Sequence, residues 1–313
     1  MSKTAFIFPG QGAQYLGMAM DLIQTNSEFK ETLINFDQEN DTELLKIMST
    51  GPEEILQETK FTQPAILFHS IIAMKYTLER IDLKPDFVAG HSLGEFSALV
   101  ANGTLTLRDA LYLVHKRGEY MIKANQGKPF GMAAIIGLTP DRVKDICKIA
   151  SKTDIVIAAN YNTPVQTVIS GSKIGVDKAC EIAKEEGAKR IVPLVVGGPF
   201  HSPLIKKAAL WLKKEMDQIN FNRPAIPVIS NVDAIPVTDP EIIKHNLARQ
   251  VTSSVLWVNS MNYLIKNNVT NFIEFGPKKV LAGMMKKIDR NVKVISIDTV
   301  EDFDAVKNEL ENI

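Results

Sequence analysis

Phe87-Val88-Ala89-Gly90-His91-Ser92-Leu93-Gly94 is the stretch on which the fold turns. Its apolar start reads as a short strand that stops at Gly90, and the run from about Leu93 to Ala101 reads as a helix that follows at once. GxSxG acquires mechanical meaning in that context. A strained strand-to-helix turn lifts the serine hydroxyl out of the sheet, and the glycines allow the tight approach. The helix start also supplies backbone N–H groups near Ser92, where an oxyanion would form. A plain βα turn with Ser92 as an N-cap fits the same letters.

Working outward, beta-type runs alternate with helical patterns, which reads as α/β. Thr4 to Phe8 is a strand ending at Pro9-Gly10, and Thr62-Gln63-Pro64 open a helix, apolar all round, from Ala65 to Leu78. Such a helix is expected beneath a sheet. Thr106 and Asp109 have capping-box spacing and start another.

The middle of the chain has its own order. Gly131 to Ile136 is a strand; Thr139 and Pro140 open a helix striped by Val143, Ile146, Cys147 and Ala150. Strands Ile155 to Ala159 and Thr167 to Ser170 follow, separated by a turn at Asn160-Tyr161-Asn162-Thr163-Pro164. A helix carrying Val176, Ala179, Cys180 and Ala183 and a strand from Arg190 to Val196 complete a βαββαβ unit, ferredoxin-like in order. Residues 127–197 are therefore expected to be a small domain inserted into a larger one built from 1–126 and 198–313. A helix (Leu204 to Ile219), a strand (Ile226 to Ser230), helices at Asp239-Pro240 and around Trp257, and strands Asn271 to Phe275 and Lys293 to Ile297 resume the larger domain.

Composition excludes several classes. A chain of 313 residues, 45% apolar and 23% charged, can bury a core without disulfides or metals. Its 36 basic and 36 acidic residues cancel, which argues against overall steering to nucleic acid or membrane. Cys147 and Cys180 make no disulfide framework and no zinc pattern, so no metal is expected. No apolar run is long enough for a bilayer span and no signal peptide is evident, so the cytoplasm is the expected location.

A nucleophilic serine needs a base. Of five histidines, His69 lies in the apolar helix, and His115 and His245 lie in helical stretches. His91 adjoins the serine, so its side chain leaves the turn in another direction. His201 stands in the irregular loop Gly197-Gly198-Pro199-Phe200-His201-Ser202-Pro203 at a strand end, where α/β folds carry function. It is the candidate base. No carboxylate is marked as its orienter, so a dyad and a triad both stand.

Arg117 lies on the apolar stripe Ala110, Leu113, Val114, Arg117, Met121. A buried guanidinium needs a partner, either an internal acid or a substrate carboxylate gripped by its fork. Gly10-Gln11-Gly12, after the first strand, is no phosphate loop, but its N–H groups could complete an oxyanion hole.

Phe8-Pro9-Gly10-Gln11-Gly12, Thr62-Gln63-Pro64-Ala65, Gly90-His91-Ser92-Leu93-Gly94-Glu95, Arg117, Phe200-His201-Ser202-Pro203 and Glu274-Phe275-Gly276-Pro277, in this order, resemble one family. It is the malonyl-CoA:acyl carrier protein transacylases of bacterial fatty acid synthesis, with the acyltransferase domains of polyketide synthases. Asn231-Val232-Asp233-Ala234 and Arg249-Gln250 fit its pattern too. The resemblance implies an α/β-hydrolase-like large domain with the ferredoxin-like insert, and an active site between them. It implies Ser92 as the nucleophile that carries malonyl, and His201 as the base, oriented by a backbone carbonyl at the position of Gln250. Arg117 would pair with the malonyl carboxylate, and Met121 is a further expected substrate-binding residue. Backbone N–H groups of Gln11 and Leu93 would form the oxyanion hole, and Phe200 would restrict the α-carbon. Malonyl-CoA and an acyl carrier protein are the implied partners, with no permanently bound cofactor, no nucleic acid and no membrane, and the implied state is a monomer. Gly197-Gly198-Pro199-Phe200 departs from the serine-containing form common just before the histidine in many relatives. A serine thioesterase or other hydrolase, a stand-alone polyketide-type acyltransferase and a non-catalytic carrier-binding module are the alternatives.

Overall fold

Ten strands form two sheets in the computed structural model, which describes residues 2–125 and 127–313. The strands are β1 (Lys3–Phe8), β2 (Phe87–Gly90), β3 (Phe130–Ile136), β4 (Val156–Thr163), β5 (Gln166–Ser172), β6 (Arg190–Pro193), β7 (Val228–Ile229), β8 (Pro236–Val237), β9 (Val269–Phe275) and β10 (Lys293–Ile297). The larger sheet runs β10-β9-β1-β2-β7-β8, parallel except at β8. β1 lies in its middle, paired from Ala5↔Phe87 to Phe8↔Gly90 on one side and with β9 on the other. A central parallel strand is buried on both faces, which explains the unbroken apolar run from Ala5 to Phe8. Phe6 and Phe8 point into one core, whereas Ala5 and Ile7 point into a second that holds Trp257 and Phe272.

The smaller sheet is antiparallel with order β4-β5-β3-β6. Helices Pro140–Ala150 and Lys173–Glu185 cover one face, against Ala133, Ile135 and Ile169. Met132, Ala134 and Val168, the alternate residues, face the other way, towards the larger sheet's helices. Two sheets thus present a cleft between them. No helix among the described residues is long and apolar enough to cross a membrane. Gln126, the last residue of the first expected large-domain segment, lies outside the described residues, as does Met1.

Some expectations move. The helix expected to open at Thr62 begins at Thr59, which leaves Pro64 inside it. Proline has no N–H to give the Lys60 carbonyl. That carbonyl accepts instead from His115 Nδ1 at 3.1 Å, so His115 is a buried structural partner. The expected five-residue turn at 160–164 shrinks to Pro164 and Val165, because β4 continues through Thr163 and pairs it with Gln166. Asn160 and Asn162 are therefore strand residues, and their side chains reach the cleft. The helix expected from Leu204 is a short 3-10 turn, Pro203–Ile205, followed by Lys206–Met216. Helices Ser27–Asn40, Val280–Ile288 and Val300–Leu310 had no counterpart in the sequence reading.

Candidate active site

Ser92 stands just past the C-terminal end of β2 with φ of 53°, a left-handed conformation unusual for a residue with a side chain. Helix Gly94–Ala101 leaves immediately afterwards. The turn is possible only with glycine on both sides. A Cβ on Gly90 would lie 1.8 Å from the Gly94 carbonyl carbon, and one on Gly94 would lie 2.1 Å from the Phe8 carbonyl oxygen. Asn231 holds the turn from outside. The Ser92 N–H donates to Asn231 Oδ1 (2.7 Å), and Asn231 Nδ2 donates to the Gly90 carbonyl (2.7 Å).

His201 reaches this serine from a loop distant in sequence. Its Nε2 lies 2.8 Å from Ser92 Oγ, and its Nδ1 lies 2.8 Å from the Gln250 carbonyl oxygen. A carbonyl only accepts, so Nδ1 carries the proton and the Nε2 lone pair faces the serine hydroxyl. Gln250 is the last residue of helix Pro240–Gln250, so its carbonyl belongs to the unsatisfied, partially negative end of that helix. A helix terminus thereby stands where an orienting acid would otherwise be. Burial, and next the Arg117 charge, push the His201 imidazole down from its ordinary 6.5 to about 3. It is uncharged throughout the neutral range. His91 turns away, its Nε2 2.8 Å from Asn162 Oδ1 and its ring edge-on to Trp257.

Arg117 is 1% exposed and has no carboxylate within ion-pair distance among the described residues. Three neutral oxygens take its hydrogens. Nη1 donates to Gln63 Oε1 (2.7 Å), and Nη2 donates to Gln250 Oε1 (2.9 Å) and to Ser92 Oγ (3.0 Å). Nε is buried without a partner. Burial lowers its pKa to about 10, so it stays a cation at neutral pH. The internal salt bridge that the sequence left open is absent from this arrangement.

A cavity of about 240 Å³ opens between the two sheets above Ser92. Gln11, Leu93, Arg117, Met121, Phe200 and His201 all line it, and Gln250 sits buried behind it. The structure therefore brings together the residues assigned to the site from the sequence, whereas His69, His115 and His245 lie outside its lining. Further residues join the site whose own roles no motif marks. Gln63 braces Arg117, Asn231 braces the serine turn, and Glu95 accepts from Gln250 Nε2 at 2.6 Å. The available signal was a polar residue inside an apolar stretch, as with Gln63 in its helix and Glu95 before Phe96. Asn160 and Asn162 were hidden by their turn-like composition.

The acyl transferase domain model matches residues 5–300. The chain belongs to that family. It is 46% identical over 306 residues to the malonyl CoA-acyl carrier protein transacylase of Staphylococcus aureus, a match covering 96% of this chain and 97% of the relative. An acyl-carrier-protein S-malonyltransferase from Burkholderia pseudomallei superposes with a TM-score of 0.93 at 41% identity, covering 98% of this chain and 99% of that one. A malonyl-transacylase solved in complex with a type II PKS acyl-carrier protein superposes with a TM-score of 0.94 at 35% identity, covering 100% of both chains.

Proposed function

We propose that this protein transfers a malonyl group from malonyl-CoA to the phosphopantetheine thiol of an acyl carrier protein, through an ester on Ser92. One observation carries the reading. Ser92 Oγ lies 2.8 Å from a neutral imidazole nitrogen and 3.0 Å from a buried guanidinium nitrogen, inside one cavity. A nucleophile, its base and a cation that fits a carboxylate are the groups this substrate needs, and the relatives' names support the same assignment.

His201 Nε2 takes the Ser92 proton as Oγ attacks the thioester carbonyl. The backbone N–H groups of Gln11 and Leu93 receive the oxyanion. The imidazolium formed is stabilised by the Gln250 carbonyl, and it returns the proton to the departing coenzyme A sulfur. In the second half the carrier thiol gives its proton to His201 and attacks the malonyl ester; the bond from Ser92 Oγ to the acyl carbon breaks, and His201 returns the proton to Oγ. Arg117 holds the distal carboxylate through both halves, with Met121 beside it. Phe200 borders the α-carbon. Thioester and ester are close in energy, so positioning dominates and no metal or redox group is needed. The carrier serves fatty acid synthesis in the cytoplasm, and the enzyme acts as a monomer.

The division into a hydrolase-like part (1–126 and 198–313) and a ferredoxin-like insert (127–197) belongs to this proposal. The mainly parallel larger sheet and the β4-β5-β3-β6 order of the smaller support it. Intact-mass measurement after mixing with malonyl-CoA tests the reading. The wild type should gain one malonyl group, Ser92→Ala none, and the ester should persist until a carrier thiol is added. Rapid release of free malonate without carrier would point to a hydrolase instead.

A further inference from the structure

Glu95 is a carboxylate the reaction above does not use, 3% exposed and beside the nucleophile. Its Oε2 accepts from Gln250 Nε2 at 2.6 Å and from the Asn231 N–H at 3.3 Å. The other end of the same Gln250 amide accepts from Arg117 Nη2 at 2.9 Å. The order carboxylate, amide N–H, amide oxygen, guanidinium is the only one without a clash. Turning the amide over would set its hydrogens against the cation and its oxygen against the anion. Glu95 and Arg117 are thus opposite charges linked through an amide rather than in direct contact, and together they keep the interior of the free enzyme's site close to neutral.

Docking the substrate's carboxylate changes that balance. One buried cation would then face two anions in a space closed to water, where like charges do not coexist cheaply. We propose, resting on the transacylase reading above, that Glu95 is a positioning and charge-balancing residue. Through the Gln250 amide it holds Arg117 in the empty site, and it takes a proton from solvent when the acyl carboxylate docks there. The proton returns to solvent when the acyl group leaves, and no other bond changes.

The surroundings leave Glu95 as the group able to do this. Burial lifts its carboxyl to about 7, against the opposing pull of Gln250, Asn231 and Arg117. Asp233, the other acid acting on it, is engaged by Arg249 at 3.1 Å. His201, beyond the Gln250 carbonyl, stays neutral, and burial likewise lowers His91. Arg117 remains charged across the same range.

The test compares acylation by malonyl-CoA with acylation by carbamoylacetyl-CoA, which has the same shape and no charge, between pH 5.5 and 8.5. Coenzyme A and His201 are common to both donors, so their ionisations cancel in the ratio of kcat/KM. The wild-type ratio should fall on the order of tenfold as pH rises and Glu95 ionises, while in Glu95→Gln it should stay flat and high. A role in folding alone would not give the ratio a slope. A second measurement needs no variant. Indicator-dye stopped flow at pH 7 should record proton uptake with malonyl-CoA beyond that seen with the neutral donor. A flat wild-type ratio, an equal slope in Glu95→Gln, or equal proton uptake would overturn the role of Glu95. Failure of malonyl-CoA to acylate Ser92 at any pH would overturn the transacylase reading itself.

Discussion

The serine turn and the arginine cluster share one cavity but are built in opposite ways. Ser92 is set by its own neighbours: a strand before it, a helix after it, and glycines whose missing side chains let Gly94 pass against β1. Arg117 is set by residues remote in sequence, Gln63 on one helix, Gln250 at the end of another, and Glu95 behind that. A local device is printed in consecutive residues. A convergent one depends on where the chain brings its helices, and only a charge stranded on an apolar stripe betrays it beforehand.

The sharpest way to break the local device is to remove its base. His201→Ala should cost about 10² to 10⁴ in the rate of Ser92 acylation, followed by intact mass. A loss below tenfold would move the base elsewhere, with His91 next to test. His201 also gives the comparison a pH signature. Since it is held at about 3 rather than 6.5, the acid limb of kcat/KM should lie well below 6.5. The same shift makes folding stability depend on pH. Between these values the unfolded histidine binds a proton and the native one does not. Its contribution is therefore complete above pH 6.5 and is lost as pH falls towards 3, which thermal melts from pH 7 to 4 would record.

The convergent device breaks selectively. Arg117→Ala should lose about 2–5 kcal/mol for malonyl transfer, roughly thirtyfold to a few thousandfold, because the substrate carboxylate is left buried and unpaired. Acetyl transfer, assayed beside it, should change little, and Arg117→Lys should fall between, keeping the charge and losing the fork. Equal losses for both acyl groups would make Arg117 a prop for the fold.

The smallest expected effect is at Phe200, which adjoins the base but lines the shared cavity. Phe200→Ser should raise the methylmalonyl-to-malonyl ratio of kcat/KM about tenfold, since one methyl group is worth only about 1–3 kcal/mol of discrimination. An unchanged ratio on folded protein would assign the ring to packing the loop.

The sequence alone determined the α/β alternation, the βαββαβ order of the middle segment, the serine at a strand-to-helix turn and a short roster of partners for it. Those features rest on periodicity, glycine sterics and proline or cap positions, all of which act over a few residues. The resemblance to acyltransferases added the role of the Gln250 carbonyl, which no side-chain pattern could mark, since every residue carries one. Tertiary structure decided the rest. It alone placed a helix end where His201 needed an acceptor, aligned the Gln250 amide between Glu95 and Arg117, and turned Asn160 and Asn162 from apparent turn residues into the wall of the cleft. The reason is physical. A buried polar group must find its partner wherever the packing of apolar faces leaves one, and that distance is set by the fold rather than by spacing along the chain.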